Sequence, residues 1–323
     1  MNLGRRDFLR QSAWAGLGAA ALTQTAGCAN ALAGPGPQAL MGLRCAPLPN
    51  VRMGVIGLGM RGPGAVHCYA NLPGVQVTAL CDLVTERAEN QQKWLKSQNK
   101  PDAAVYGGTP DAWKKLCESD KVDAVHITTP WLLHTPMAVY AMRCGKHAFV
   151  EVPAAVTVEQ CWQLVETCEK TRRHCMMLEN CCYGESEMFA LMLCRKGVLG
   201  DLVHGEGAYL HDLCDLKFSK SGYQDMWRLN FSKAHTGNPY PMHGMGPVCQ
   251  YMNINRGDTF EFLTSMSSNQ FGMTEYAVDK FGKNSPEAKA TYKLGDMNTT
   301  MIRTYRGRTI MVQHNTTNPR PYS

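Results

Sequence analysis

Gly57, Gly59 and Gly62 stand directly after an apolar run, Val51 to Ile56, and before a stretch of helical composition, which is the spacing of a dinucleotide cradle. In such a cradle the first glycine permits the tight turn and the second lets main chain approach a pyrophosphate. The third lets helix pack closely on strand. A glycine-rich turn alone is often only a turn. Here a second apolar run, Val75 to Leu80, ends in Cys81-Asp82, with the acid twenty-five residues after Gly57. An acid at the end of a second strand accepts hydrogen bonds from ribose hydroxyls and repels a 2′-phosphate, so the constellation favours NAD over NADP.

The later half carries the residues suited to proton transfer and sugar binding. His243 follows Tyr240-Pro241-Met242 where a helix should begin; an imidazole there serves as acid or base near neutral pH, or else caps the helix. Tyr209 and Tyr240 offer a phenol or a flat face for a sugar, although an aromatic residue in a strand more often packs in a core. Arg228, beside Trp227, can donate to sugar hydroxyls or an acetamide carbonyl, or sit exposed on a loop. Tyr183, three residues beyond Asn180, is a further proton-transfer candidate. Trp131 and His134 follow the fourth strand at its C-terminal edge, where ligands of parallel sheets gather; the alternative is a stacked pair that closes the sheet edge. Glu179, Glu206 and Asp212 fall on different strands or turns, and nothing in their spacing pairs them as the two carboxylates of an ordinary glycosidase.

The elements that must position these groups change character near Asn180. Before it, apolar runs at Val51 to Ile56, Val75 to Leu80, Ala124 to Thr129, His147 to Val152 and Cys175 to Leu178 alternate with segments of helical period such as Thr157 to Thr171. That alternation predicts a parallel Rossmann sheet over residues 50–180, with helices on both faces. After a helix over about Ser186 to Leu199, stopped by Gly200, come longer strand-like runs: Leu202 to His211, Thr259 to Ser267, Asn298 to Tyr305 and Arg308 to Asn315. Arg306-Gly307 joins the last two as a hairpin. The fold class expected is therefore α/β, a Rossmann sheet followed over residues 181–323 by an α+β domain with an open, predominantly antiparallel sheet.

Length and composition, 323 residues with 44% hydrophobic and 19% charged, suit two packed domains. A formal charge of +6 with no Lys/Arg run longer than a pair excludes a nucleic-acid binder. Residues 1–31 have the layout of a twin-arginine export signal, Arg5-Arg6-Asp7-Phe8-Leu9 and then a mildly apolar stretch too short to span a bilayer. The expected location is the periplasm. Thr25-Ala26-Gly27-Cys28 also has the shape of a lipoprotein signal, making Cys28 a candidate anchor. A Pro- and Gly-rich tether fills residues 32–49. Because the twin-arginine route carries proteins already folded in a reducing compartment, the fourteen cysteines are expected to be mostly free, buried thiols. No CxxC pair occurs and no metal site is expected.

Taken together these motifs resemble the Gfo/Idh/MocA oxidoreductases, whose identifying Glu-Lys-Pro reads here Glu151-Val152-Pro153; the lysine that assists hydride transfer is absent. The resemblance is closer to glycoside hydrolase family 109, the NAD-dependent α-N-acetylgalactosaminidases. It is carried by Gly59-Met60-Arg61-Gly62, Asp82, Trp131-Leu132-Leu133-His134, Glu151-Val152, Glu179-Asn180, Tyr209, Trp227-Arg228, Tyr240-Pro241-Met242-His243-Gly244 and Asn318-Pro319-Arg320-Pro321-Tyr322. It implies that Met60, Arg61, Asp82, Trp131, Leu132, Leu133, His134, Glu151, Val152 and Asn180 touch NAD. Tyr209, Arg228, Tyr240, Pro241, Met242, His243 and Tyr322 would line a sugar pocket, with His243 and Tyr183 as catalytic candidates. It also implies hydrolysis of a terminal α-N-acetylgalactosamine by oxidation, elimination, water addition and reduction, with no net redox change. An exported enzyme without a free NAD pool needs such a cycle. The rival readings are an exported NAD(P)-dependent sugar oxidoreductase and an inactive sugar-binding homologue, the latter because family members continue well beyond the Tyr322 motif and the second sheet is expected to be incomplete. Assembly with a second copy is left open.

Overall fold

A computed structural model describes residue 40 and residues 42–321. Arg5-Arg6, Cys28 and Tyr322 lie outside the described residues. The first half runs β1 (Val51–Ile56), α1 (Gly62–Ala70), β2 (Val75–Asp82), α2 (Thr85–Ser97), β3 (Ala104–Gly107), α3 (Ala112–Glu118), β4 (Ala124–Ile127), α4 (Trp131–Arg143), β5 (His147–Val150), α5 (Val158–Thr171) and β6 (Cys175–Met177). The six strands are parallel in the order β3-β2-β1-β4-β5-β6. Strand order reverses beside β1, and a ligand crevice opens outside the strand ends at such a reversal.

The strands most legible in the sequence are the central ones, because a parallel strand covered on both faces must be apolar at nearly every position. All four residues of β4 and the last four of β1 are buried. Two apolar clusters pack against this sheet, one around Val125, Ile127, Met142 and Val150, the other around Val55, Val77, Leu80 and Leu95. Strand β3 has no such signature; it is a four-residue edge strand whose Ala104 and Val105 are exposed. Helix α5 starts where Thr157 Oγ1 accepts from Gln160 N (3.2 Å).

The second half contains α6 (Glu185–Arg195), β7 (His204–Leu210), α7 (Cys214–Lys217), α8 (Trp227–Ala234), α9 (Met242–Tyr251), β8 (Phe260–Ser267), α10 (Gly272–Phe281), β9 (Asn298–Thr304) and β10 (Thr309–Asn315). Helix α6 ends four residues before the expected Leu199. Gly197 takes φ +69° there, its N–H donates to Cys194 O (3.0 Å) and Val198 N–H donates to Leu193 O (3.1 Å), a left-handed stop that spends the last carbonyls.

The second sheet has the order β7-β10-β9-β8 and is mixed. The hairpin through Arg306-Gly307 makes β9 and β10 antiparallel, and β8 is antiparallel to β9. Strand β7, separated from the others by three helices, returns parallel to β10. The thirteen described cysteines are all free, but they are not mostly buried: only Cys81, Cys117, Cys168 and Cys214 are, while Cys45, Cys68 and Cys161 are exposed and the other six are half-buried. Among the described residues no helix is long and apolar enough to cross a membrane.

Candidate active site

A cleft of about 1080 Å³ opens between the halves, with the glycine loop after β1 at one end and α8, α9 and β7 at the other. At the loop end the chain closes on itself so tightly that side chains are excluded. A Cβ on Gly57, whose φ is +92°, would lie 2.9 Å from the Thr128 backbone, and one on Gly62 would lie 2.0 Å from Gly57 O. Gly59 is different, since a Cβ there would meet only Arg87 Nη1 at 3.9 Å, leaving its main chain open to the cleft. Arg61 is the N-cap of α1 and makes no side-chain cap bond, so first-turn N–H groups remain for an anion. A cradle of this shape fits a dinucleotide diphosphate.

Asp82 is the last residue of β2, where the sequence places it, but its carboxylate has work inside the fold. Oδ2 accepts from Leu58 N (2.6 Å), Oδ1 accepts from Val84 N (2.8 Å), and Arg87 Nη1 lies 3.6 Å away. It fastens the glycine loop to β2, and what it offers a ribose is its remaining lone-pair capacity. Arg87, not singled out in the sequence, also donates to Gln224 Oε1 (2.6 Å) and so joins the two halves.

Met60 and Arg61 are exposed on the loop, and Arg61 Nε lies 3.9 Å from Glu151 Oε2. Burial works against ionisation of Glu151, but the facing His126 (3.4 Å) and Arg61 outweigh it and hold the carboxyl below its ordinary range. Trp131, Leu132, Leu133 and His134 form the first turn of α4. Leu132 and Leu133 are exposed on the cleft wall, whereas Trp131 and His134 are buried. His134 departs from the simple cofactor-contact expectation. Nδ1 lies 2.7 Å from Pro153 O and Nε2 2.6 Å from Thr129 O, so whichever nitrogen carries the proton donates to a carbonyl and the ring sits wedged between the turn after β5 and the turn before α4. It offers a ligand only a ring edge. Val152 is buried on the cleft wall, and Asn180 stands exposed on it.

At the other end the chemistry belongs to side chains. Arg228 is not exposed on a loop; it lies on α8, 7% exposed, and donates to Tyr223 Oη (2.9 Å) and Tyr209 Oη (3.3 Å). Its guanidinium carbon sits 4.8 Å from the Trp131 ring centre and 5.1 Å from that of Tyr240, which themselves stack at 5.4 Å. Among the described residues no carboxylate pairs with it within 4.0 Å. A buried guanidinium held by π faces and phenols keeps N–H capacity for a polar ligand. Burial pushes the Tyr240 phenol up. Lys217, 1% exposed, donates to Thr316 Oγ1 (2.8 Å); burial and then the charge of Arg228 bring it down to about 7.

His243 occupies the first turn of α9, just after Pro241 and the buried Met242. Nδ1 meets Glu179 Oε1 at 2.6 Å, and that oxygen also accepts from Cys181 N (2.9 Å). Sequence spacing could not announce this dyad, because sixty-four residues separate its members. Two close approaches make it. A Cβ on Gly207 of β7 would fall 2.1 Å from Gly244 O, so helix and strand touch main chain to main chain. A Cβ on Gly246 would lie 3.0 Å from both Glu179 Cγ and Cys182 Sγ. The small residues in His-Gly-Glu-Gly and His-Gly-Met-Gly were the available signal. Glu179, Cys181 and His243 thereby come together, each offering a ligand-type atom within 4.8 Å of the others. Tyr183 does not join them. It follows the 3₁₀ turn Asn180–Cys182, is 62% exposed, and is no part of the cleft wall, so the turn carries its phenol away from the catalytic position expected of it.

Residues 51–179 match the oxidoreductase family with an NAD-binding Rossmann fold, and residues 183–323 match the C-terminal domain of glycosyl hydrolase 109. An alpha-N-acetylgalactosaminidase of Bacteroides fragilis is 52% identical over 292 residues, covering 90% of this chain and 68% of the relative. The chain belongs to glycosyl hydrolase family 109. A family 109 protein of Shewanella pealeana is 45% identical over the whole chain and 71% of its own length. Among solved structures, scyllo-inositol dehydrogenase from Lactobacillus casei with bound NAD(H) and scyllo-inositol superposes with a TM-score of 0.63 at 14% identity, over 85% of this chain and 72% of that one. An oxidoreductase domain protein from Kribbella flavida gives 0.65 at 19%, over 84% and 69%. At those identities the shared property is the Gfo/Idh/MocA fold. The protein is thus a family 109 glycoside hydrolase with a Rossmann domain that binds NAD, and a glycan is its substrate.

Proposed function

We propose that this protein releases terminal α-N-acetylgalactosamine from glycans by a hydrolysis that leaves the sugar with no net redox change. One observation carries the reading: His243, paired with the buried Glu179, lines the same cleft as the glycine cradle, beside a buried cation walled by Trp131, Tyr209 and Tyr240. NAD held on the loop would supply a hydride acceptor that takes a hydride from the sugar ring and gives it back, so that oxidation and reduction cancel over one turnover.

The chain's own groups supply the rest. Glu179 Oε1 accepts from Nδ1–H, which fixes the tautomer of His243 and leaves Nε2 as the base for a sugar hydroxyl proton. Arg228, held by Tyr209 and Tyr223, donates to ring hydroxyls or an acetamide carbonyl, and Trp131 and Tyr240 give a sugar its flat face while excluding water. Asp82 and Glu151 stand at the cofactor end with their own partners, and this leaves them poorly suited to act as the acid and base of an ordinary glycosidase.

The test is to incubate purified protein, with no added NAD, with p-nitrophenyl α-N-acetylgalactosaminide. The reading expects many turnovers of released phenol together with unoxidised N-acetylgalactosamine. An oxidised sugar and a single turnover would instead assign a sugar oxidoreductase. We further propose that Arg5-Arg6 directs export with the cofactor already bound, to the periplasm, with Cys28 as a lipid anchor; the support is the signal-like layout of the first 31 residues. Replacing Arg5-Arg6 by Lys-Lys and fractionating cells checks it, retention in the cytoplasm being the expected result.

A further inference from the structure

We propose that Glu179, Cys181 and His243 form a binding site for a thiophilic divalent cation of the zinc class, and that occupancy of this site switches the enzyme off. The three side chains are a carboxylate, a thiol and an imidazole, the ligand types from which zinc sites are assembled. One ligand-type atom of each already lies within 4.8 Å of the others. A tetrahedral zinc with bonds of about 2.0 to 2.3 Å holds its ligand atoms roughly 3.3 to 3.8 Å apart, so small side-chain rotations complete the set: the His243–Glu179 pair, now at 2.6 Å, opens, and atoms lying farther apart draw in.

A second, independent observation lies in the carboxylate itself. Glu179 is 5% exposed, and its Oε2 is buried without a hydrogen-bond partner among the described residues. A buried carboxylate oxygen in that state is costly, and a bound cation is one of the few partners that would satisfy it. The backbone is arranged to keep the cluster together. Cys181 N–H is pinned to Glu179 Oε1 at 2.9 Å, and Gly246 lets helix α9 come down on the 3₁₀ turn that carries Cys181.

Occupancy changes protonation in a defined way. A thiol that ligates zinc does so as the thiolate. On binding, the S–H proton leaves to solvent, a sulfur–metal bond forms, and one nitrogen of the neutral imidazole donates its lone pair; no electrons are transferred. Cys181 and His243 both face the cleft, which leaves the fourth position to water or a sugar hydroxyl. The consequence is inhibition, because the cation breaks up the hydrogen-bonded pair that orients His243. The proposal for binding stands on the cluster and does not depend on which glycoside is cleaved.

The test begins with the NAD-loaded enzyme and Co²⁺ as a spectroscopic probe. One equivalent should bind and give a sulfur-to-cobalt charge-transfer band in the near ultraviolet. Cys181→Ser should lose the band, while Cys161→Ser, at an exposed cysteine outside the cleft, should keep it. Zinc should compete the cobalt out, and should inhibit turnover reversibly on adding chelator. Its inhibition constant, each variant measured against its own zinc-free rate, should weaken by at least about tenfold in Cys181→Ser. Absence of the band in the unmodified enzyme at saturating Co²⁺ overturns the proposal without reference to any variant. A band that survives Cys181→Ser, or a zinc inhibition constant unchanged there, overturns it as well.

Discussion

At the glycine-loop end of the cleft, the groups that meet a ligand are main-chain N–H donors and the absence of side chains; at the α8–α9 end they are an imidazole, a guanidinium and four aromatic rings. The loop end is rigid because each part blocks another: Gly62 abuts Gly57, Gly57 abuts Thr128, and Asp82 holds Leu58. Such a site binds a constant molecule through its backbone, and tolerates no added atom at Gly57 or Gly62. The α8–α9 end is held by polar contacts among side chains from β7, α8, α9 and the 179–182 turn. There, single groups can be exchanged with graded effects. A resident cofactor and a passing substrate call for these two constructions respectively.

The contrast is broken most completely at Gly62. A Cβ 2.0 Å from Gly57 O forces the cradle apart, so Gly62→Ala is expected to purify without nucleotide and without activity. The check is the nucleotide released on heat denaturation, with circular dichroism to show that the fold persists. At the other end, His243→Asn should keep its NAD and lose about a thousandfold in kcat, the usual worth of a positioned base. Retained nucleotide with lost turnover separates the two ends in one measurement. Arg228→Lys should cost about a hundredfold in kcat/KM, chiefly through KM, because an ammonium cannot reproduce the guanidinium's bonds to Tyr209 and Tyr223 while facing a sugar.

Smaller effects report on what the polar end costs the fold. Lys217 has a pKa near 7 when folded, below its unfolded value near 10.5, so the unfolded chain binds the extra proton between these pH values and stability rises as pH climbs from 7 to 10.5. Lys217→Met is therefore expected to stabilise the protein by on the order of 2 kcal/mol at pH 7, with the advantage shrinking by pH 10. Urea denaturation at the two pH values decides it; a gap independent of pH would sink the argument. His314 acts over a lower window. Burial, then the charges of Lys217 and Arg228, bring it down to about 3, so the unfolded chain gains a proton first and stability falls as pH drops from about 6.5 toward 3. His314→Gln should flatten that slope by up to about 1.4 kcal/mol per pH unit.

Local pattern by itself determined the cofactor half. Gly57, Gly59, Gly62 and Asp82 act within one strand–turn–helix–strand unit, so their spacing along the chain is their spacing in space, and the buried strands β1 and β4 announce themselves by composition. The edge strand β3, the parallel return of β7 and the early stop of α6 at Gly197 were not legible in the same way. Edge burial, sheet pairing and a single left-handed residue are decided by neighbours or by one φ value. At the substrate end, sequence could nominate His243, Arg228 and Tyr209 but could not connect them. Only the tertiary structure set Glu179 against His243, buried Arg228 among rings, wedged His134 between two carbonyls and turned Tyr183 outward. The physical reason is that contacts across sixty-four residues depend on how helices and strands pack, here through Gly207, Gly244 and Gly246, and no local periodicity encodes that packing.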